Sequence, residues 1–152
     1  MLTVTRRVLI SAPRDSVSRY LSDLREIARY EPKVDAIEIE AAPDGPQASA
    51  EGRFLGWPWR GKFLFEMTQD GGYRGVMVQG PLRRMECQVS LRPIVGGTIV
   101  EHREAYELPL FARPLQPLIR RWLRSTLESE LDSIKEAAEA LNRRLHLEKL
   151  DA

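Results

Sequence analysis

The chain has 152 residues, of which 43% are hydrophobic and 30% charged, a composition typical of a folded domain and not of a disordered segment. Its 23 basic and 22 acidic side chains give a formal net charge of +1, which excludes the strong positive field of a nucleic-acid-binding protein. No apolar run approaches the ~20 residues that a transmembrane helix needs. We therefore expect one domain, residues 1–152, with no nucleic-acid partner and no transmembrane segment.

Cysteine and histidine are too scarce for most metal sites. Cys87 is the only cysteine, so neither an intramolecular disulfide nor a cysteine-based zinc site can form. His146 lies near the C-terminus, away from His102, so no second histidine supports a metal ion. Residues 1–7 lack the apolar segment of a secretory signal, which predicts a cytoplasmic protein. We expect no metal and no cofactor.

The N-terminal quarter predicts one strand and two short helices. Residues 2–10 alternate apolar with polar side chains, with Arg6 as the exception on the apolar face. Pro13 fits the first turn of a helix, where its missing N–H costs nothing. Asp23 followed by Glu26 has the spacing of a capping box, which predicts a second short helix that ends before Pro32.

The middle of the chain has a period of two, typical of strands. Asp70-Gly71-Gly72 and Gly96-Gly97 are turn signals, and Trp57-Pro58-Trp59 is expected to connect two paired strands. The predicted strands are residues 34–39, 50–56, 61–68, 73–79, 82–92 and 98–108. Short strands separated by turns indicate an antiparallel meander.

The last third predicts one long amphipathic helix, residues 114–145. Its apolar residues recur at spacings of one, three and four. They are Leu115, Leu118, Ile119, Trp122, Leu123, Leu127, Leu131, Ile134, Ala138, Leu141 and Leu145. The charged residues, Glu130 among them, are expected on the opposite face. The stripe is expected to cover the sheet, and its tail could also form the seam of a homodimer. The predicted class is α+β, with the sheet wrapped around this helix.

Four stretches of sequence, in this order, carry a family resemblance. They are residues 8–13 (VLISAP), residues 30–34 (YEPKV), residues 96–98 (GGT) leading to His102, Glu104 and Tyr106, and the segment 109–123, rich in proline, arginine and leucine. Together they resemble the START-related helix-grip superfamily (SRPBCC), and within it the polyketide cyclase/dehydrase and lipid-transport group.

The resemblance implies a helix-grip fold: a curved antiparallel sheet of about seven strands wrapped around a long C-terminal helix, with two short helices after the first strand. It also implies a hydrophobic cavity between sheet and helix. Members bind lipids, quinones, polyketides, hormones or aromatic compounds, and some are cyclases or dehydratases. Fold therefore leaves function open.

The apolar face of each predicted element nominates the cavity wall. The candidates are Phe63, Phe65, Met67, Val76, Val78, Met85, Cys87, Val89, Ile119, Trp122, Leu123 and Leu127. The alternative is that these side chains simply fill a solid core.

His102, Glu104 and Tyr106 share one face of the last predicted strand with apolar Val100 and Leu108. If that face points inward, neighbours about 7 Å apart could orient a ligand or act as general acid and base. The alternatives are that the opposite face points inward, or that these side chains only bond across strands.

Trp57 and Trp59 could gate the cavity, touch a membrane transiently, or fold back over an open edge. The leading hypothesis is a binding or carrier protein for a small hydrophobic or amphipathic ligand. The alternatives are a polyketide cyclase/dehydratase-type enzyme that uses His102, Glu104 and Tyr106, and a protein-interaction module that uses the tryptophans.

Overall fold

Seven strands and three α-helices form the part of the chain that the computed structural model describes, residues 1–151. The strands are β1 (Leu2–Ile10), β2 (Val34–Ala42), β3 (Gly45–Phe54), β4 (Trp57–Met67), β5 (Tyr73–Gln79), β6 (Arg84–Ile94) and β7 (Gly97–Glu107). The helices are α1 (Arg14–Ser22), α2 (Ile27–Tyr30) and α3 (Gln116–Asp151), with 3₁₀ turns at Leu24–Glu26 and Leu110–Leu115.

All seven strands belong to one antiparallel sheet of order β1-β7-β6-β5-β4-β3-β2. Hairpins join β2 to β7 in succession, and β1 pairs with β7, so that Arg6 lies opposite His102. The helices between β1 and β2 carry the chain to the other edge of the sheet. The predicted α+β helix-grip architecture is confirmed.

Most of the predicted apolar stripe of α3 packs against the sheet and α1, whereas Leu118, which was expected to belong to it, is exposed. Leu123, Leu127, Ile134 and Ala138 are completely buried, and Leu131 is nearly so. Each buried aliphatic side chain contributes about 1.5–3 kcal/mol through the hydrophobic effect, and this stripe therefore holds the long helix in place. Arg6, the exception in β1, pairs at the surface with Glu128 of α3 at 3.1 Å.

The β3–β4 connection differs from the prediction. The turn is Leu55-Gly56, with φ of 52° and 83°, and Trp57-Pro58-Trp59 belongs to β4. A two-residue turn with φ > 0 at both positions suits the twist of a hairpin but usually contains Asn or Gly. Leucine at the first position hid the turn from sequence analysis. Similarly, β2 and β3 extend to Ala42 and from Gly45, into the segment expected to be a loop.

Hairpin turns alternate between the two ends of the sheet. At one end Asp70 fastens the β4–β5 turn, because its carboxylate accepts hydrogen bonds from the backbone N–H of Gly72 (2.9 Å) and Leu91 (3.2 Å) and from the Thr68 hydroxyl. Partial burial favours a higher pKa for Asp70, but these hydrogen bonds lower it overall. We call this end, which also holds the β2–β3 and β6–β7 turns, the closed end.

Helix α3 spans 36 residues and continues past the predicted end to Asp151. Its first turn contains Pro117, which needs no hydrogen-bonded N–H there. Glu139 and Asn142 still contact Ser11 and Ser16, and beyond them Leu147 and Leu150 are exposed. A homodimer through this tail stays a prediction. Within residues 1–151, no helix combines the length and apolar character needed to cross a bilayer.

Candidate functional site: an apolar cavity with buried charges

A cavity of about 490 Å³ lies between the curved sheet and the first half of α3. Its wall is mostly apolar and comes from inward-facing side chains of β2 to β7 and α3. These include Ile37, Ala50, Phe63, Phe65, Met77, Met85, Cys87, Leu108 and Ile119. The cavity opens opposite the closed end, between the β3–β4 turn and the segment that precedes α3. We call Leu55, Trp57, Phe111 and Leu115 the mouth; all four line the cavity and are exposed.

Nine of the twelve predicted wall residues lie in the interior, in three different environments. Phe63, Phe65, Met85, Cys87 and Ile119 line the cavity. Val89, Leu123 and Leu127 are buried in the solid core beside it. Trp122 is half-buried and packs edge-on against Phe54, with ring centroids 4.8 Å apart.

The structure corrects three of these candidates. Val76 and Val78 lie on the outer face of β5, whereas Tyr73, Gly75 and Met77 face inward. The inner face holds a glycine because a Cβ at Gly75 would lie 2.7 Å from the Phe65 ring. The prediction that the two valines mark the inward-facing side of β5 is therefore wrong. Met67 has the correct parity but is exposed at the end of β4.

His102, Glu104 and Tyr106 lie on the inner face of β7, at most 2% exposed, and contact the cavity. The Tyr106 hydroxyl donates a hydrogen bond to Oε2 of Glu104. His102 is six residues from Leu108 near the mouth, and at about 3.3 Å per strand residue it lies roughly 20 Å inside.

The fold brings three further charged side chains, none of them predicted at this site, to His102 and Glu104. Nζ of Lys33 lies 2.8 Å from Oε1 of Glu31 and 3.0 Å from Oε1 of Glu104. Nδ1 of His102 lies 2.9 Å from Oε1 of Glu130. We call these five side chains, all less than 10% exposed, the polar cluster.

Glu130 was expected on the solvent face of α3, which is wrong, since it is 1% exposed. The spacing of the helix carried the signal. Glu130 lies four residues after Thr126 and four before Ile134, both buried, and it therefore shares their face. The residue was predicted to be exposed because it is charged, although its spacing along the helix matches that of buried residues. Lys33 and Glu31 gave no comparable signal, because they flank Pro32 in a segment without clear periodicity.

Opposite charges keep the Lys33–Glu31 pair ionised despite burial. Desolvation favours a lower pKa for Lys33, but the carboxylates of Glu104 and Glu31 outweigh it and raise the pKa. Desolvation favours a higher pKa for Glu31, but the Lys33 ammonium lowers it overall. Both groups are therefore charged at neutral pH.

Glu130 behaves in the opposite way. Burial first, and then the neighbouring Glu31 carboxylate, raise the pKa of Glu130 well above its ordinary value, which favours its protonated form. For His102, burial favours a lower pKa, but the Cys87 sulfur and the Glu104 carboxylate raise it overall. The polar cluster thus combines ionised groups with two groups that can exchange protons, which is the chemistry that general acid–base catalysis requires.

Three residues of the cluster could in principle approach a metal ion. One ligand atom each from His102, Glu104 and Glu130 lie within 4.8 Å of one another. The Lys33 ammonium, however, already contacts Glu104 and would repel a divalent cation. We assign no metal to the cluster.

The two tryptophans of β4 have different environments. Trp57 is 77% exposed at the mouth. Trp59 is half-buried, donates its Nε1–H to the Lys33 carbonyl oxygen at 3.1 Å and packs edge-on against Phe63. Only Trp57 is therefore placed to touch a surface outside the protein, and Trp59 belongs to the wall.

Comparison with known proteins agrees with this architecture. A family model described as polyketide cyclase/dehydrase and lipid transport matches residues 1–139. No curated protein matches the sequence.

Several solved structures share the fold. A protein from Thermus thermophilus aligns with a TM-score of 0.80 and 24% identity over 91% of this chain and 97% of its own. A START superfamily protein from Mycobacterium smegmatis aligns with a TM-score of 0.74 and 18% identity, over 91% and 98%. The aromatase/cyclase Zhui from Streptomyces sp. R1128 aligns with a TM-score of 0.68 and 15% identity, over 90% and 93%.

Proposed function

We propose that this chain, which belongs to the polyketide cyclase/dehydrase and lipid-transport family of the START-related superfamily, is a binding or carrier protein for a small hydrophobic or amphipathic ligand. Lipids, quinones, polyketides and aromatic compounds fit that description. The observation that carries the proposal is the cavity of about 490 Å³, whose wall is almost entirely apolar. Ligand pockets are usually roughly 300–1,000 Å³, with an apolar lining and a few convergent polar groups.

The cavity is a space that the protein's own side chains leave unfilled. Protein interiors are normally close-packed, and an unfilled apolar space forgoes the dispersion contacts that its lining could make. A ligand with a matching apolar body regains these contacts and leaves water, at about 25 cal/mol per Å² of apolar surface buried. The polar cluster at the inner end can then fix its orientation.

The mouth supports exchange of such a ligand with a lipid surface. Trp57 is 77% and Phe111 84% exposed, and Leu55 and Leu115 extend the same apolar patch. A water-insoluble ligand passes most easily between two apolar environments in contact, and aromatic rings favour the bilayer interface. Transient membrane contact through Trp57, and through Phe111 rather than Trp59, is part of the proposal.

The first test is native mass spectrometry of protein purified from its own host, followed by organic extraction. We expect a stoichiometric hydrophobic compound, whose identity gives the ligand class. Protein that is empty, and whose melting temperature no member of a hydrophobic compound library shifts, would overturn the proposal.

A filled-cavity variant provides the matched test. Ala50→Phe places a ring in the cavity, whereas Ala105→Phe places the same ring on the outer face of β7. We expect Ala50→Phe to lose the co-purifying compound and Ala105→Phe to keep it. Equal retention by both variants would show that the compound is bound elsewhere.

The second candidate is a cyclase/dehydratase-type enzyme. The observation that favours it is the convergence of His102, Glu104 and Tyr106 from β7 with Glu130 from α3 at the cavity, four side chains whose chemistry allows proton transfer. A general base there could remove the acidic proton between two ketones, and a general acid could protonate the departing hydroxyl.

Kinetics separate the two candidates. If His102→Ala abolishes turnover of a poly-β-ketone thioester without weakening its binding, the enzyme is supported. If no turnover occurs and only binding changes, the carrier is supported. If neither changes while Trp57→Ser disrupts association with another protein, the chain is an interaction module.

A further inference from the structure

Three buried polar atoms at the inner end of the cavity have no hydrogen-bond partner within residues 1–151. They are Nδ1 and Nε2 of His102 and Oε2 of Glu130. Nδ1 lies 2.9 Å from Oε1 of Glu130 but without hydrogen-bond alignment, and Nε2 lies 3.8 Å from Oε1 of Glu104, beyond hydrogen-bonding distance. Unmade hydrogen bonds of this kind are costly and call for an explanation.

The neighbouring groups are all satisfied, so loose packing does not explain the unpaired atoms. Lys33 donates to Glu31, Glu104 and, at 3.5 Å, the Thr126 hydroxyl. Glu104 accepts from both Lys33 and Tyr106. Within the polar cluster, unpaired hydrogen-bonding capacity is confined to His102 and Glu130. Both side chains line the cavity, but the three atoms themselves are covered, so a ligand oxygen reaches them when these side chains turn.

We propose that His102 and Glu130 form a subsite for one uncharged oxygen of the ligand, a hydroxyl, enol or carbonyl at the buried end of an apolar body. The inference rests on the proposed ligand-binding function and names the ligand's polar group. A hydroxyl can accept from one of the two side chains and donate to the other, whereas a carbonyl accepts from both.

The charges of the cluster exclude an anionic end group such as an ionised carboxylate or phosphate. Two carboxylates, Glu31 and Glu104, face the single ammonium of Lys33, whose contacts are already made. With His102 neutral the cluster carries one net negative charge, and with His102 protonated it is neutral. Neither state gives an anion a net attraction to repay its desolvation.

A cationic end group would be attracted by the net negative charge that the cluster carries when His102 is neutral, but its position would be unfavourable. It would lie beside the Lys33 ammonium and against His102, which Glu104 favours in its charged form. An uncharged oxygen needs no counter-charge and can satisfy the unpaired atoms once the side chains turn towards it.

The test uses four decyl compounds that share one apolar body. Decan-1-ol, 1-chlorodecane, decanoate and decylammonium each displace the neutral fluorescent dye N-phenyl-1-naphthylamine from the full chain at pH 7.5. We expect decanoate to need at least about 10-fold more ligand than decan-1-ol. We expect His102→Leu to reduce the preference for decan-1-ol over 1-chlorodecane by about 10-fold, the loss typical of an unmade buried hydrogen bond.

Two further variants and a control define the site. Glu130→Gln keeps a donor and an acceptor and should retain the preference, whereas Glu130→Leu should lose it. Glu101→Gln alters a half-buried partner of Arg7 on the outer face of β7, away from the cavity, and should change nothing. Because neither nitrogen of His102 makes a hydrogen bond in the described part of the chain, His102→Leu should melt without ligand at or above the wild-type temperature.

The outcomes separate this inference from the proposed function. Tightest binding of decanoate or decylammonium, or an unchanged preference for decan-1-ol in both His102→Leu and Glu130→Leu, overturns the subsite while the cavity stands. A large drop in the melting temperature of His102→Leu overturns it too, because it indicates a structural role. If neither the dye nor any decyl compound binds, the proposed function itself fails.

Discussion

Nζ of Lys33 lies 3.0 Å from Oε1 of Glu104, and both side chains are buried although the residues are 71 positions apart. Lys33 immediately precedes β2 at one edge of the sheet, while β7, which carries Glu104, is second from the other edge. Between β2 and β7 lie four other strands of the described sheet, so the two are not paired through their backbones. The ion pair therefore joins the two sides of the curled sheet across the interior of the cavity.

Removing one partner of this pair should be costly. We expect Lys33→Met to lower the free energy of unfolding by about 3–5 kcal/mol, because it leaves two buried carboxylates without a counter-charge. Urea denaturation measures the change. The double variant Lys33→Met/Glu104→Gln should recover part of the loss, since it removes one of the stranded charges.

The surface pair of exposed Arg7 and half-buried Glu101, 2.9 Å apart, is the control. Arg7→Met should change the free energy of unfolding by less than about 1 kcal/mol. If Lys33→Met is equally mild, the buried pair contributes no more than a surface ion pair, and the proposed role across the cavity is wrong.

Glu130 should make the protein less stable as pH rises. Its pKa is raised in the folded state, so the folded chain binds this proton more tightly than the unfolded chain does. This contribution is complete below the unfolded pKa of about 4.3 and is lost as pH rises towards the folded pKa. Glu130→Gln removes the proton and should gain stability relative to wild type between pH 5 and 8, by at most about 1.4 kcal/mol per pH unit.

Urea titrations at pH 5, 6, 7 and 8 test this difference, with Glu136→Gln on the exposed side of α3 as the control. His102, whose pKa is also raised, has the same sign of pH dependence and is present in all three proteins. A difference between Glu130→Gln and wild type that stays constant with pH would show that Glu130 is ionised throughout.

The mouth should determine binding to lipid vesicles. We expect the double variant Trp57→Ser/Phe111→Ser to weaken binding to phosphatidylcholine vesicles by more than 10-fold, because each lost ring removes about 2 kcal/mol of apolar burial. Co-sedimentation measures it. Val95→Ser replaces a fully exposed side chain at the closed end and should have no effect. Equal weakening by both variants would show that vesicles do not recognise the mouth.

The tail of α3 should pair weakly if the chain dimerises. Leu147 and Leu150 are exposed, three residues apart on one helical face. We expect Leu147→Ser/Leu150→Ser to shift any dimer seen by sedimentation velocity towards monomer. A dimer that persists in this variant would use another surface.

The order of the helices and strands could be predicted because each has a clear hydrophobic periodicity or ends at a clear turn or helix-terminating residue. The Asp70-Gly71-Gly72 turn and the stripe from Ile119 to Ala138 are encoded by residues close together in sequence. The structure therefore contains both where the pattern predicts them. The turn at Leu55-Gly56 did not follow the usual residue preference, and its strand was therefore predicted to start too late.

The polar cluster could be predicted only in part. His102 and Glu104 share the parity of one strand, which sequence shows directly. Lys33 and Glu31 reach them because the sheet curls, a long-range property that no local pattern encodes. Glu130 lay within reach of analysis, since its helical spacing placed it on the buried face although its charge suggested the surface.

The uneven fastening of the two ends has a mechanical consequence. Asp70 ties the β4–β5 turn to β6 at the closed end, whereas the mouth consists of a short turn and a 3₁₀ segment with exposed rings. Compliance should therefore increase along the strands, so that amide hydrogen exchange is slow at Gly72 and Leu91 and fast near Phe111. The protein can then widen at the mouth to admit a ligand while the closed end keeps its packing.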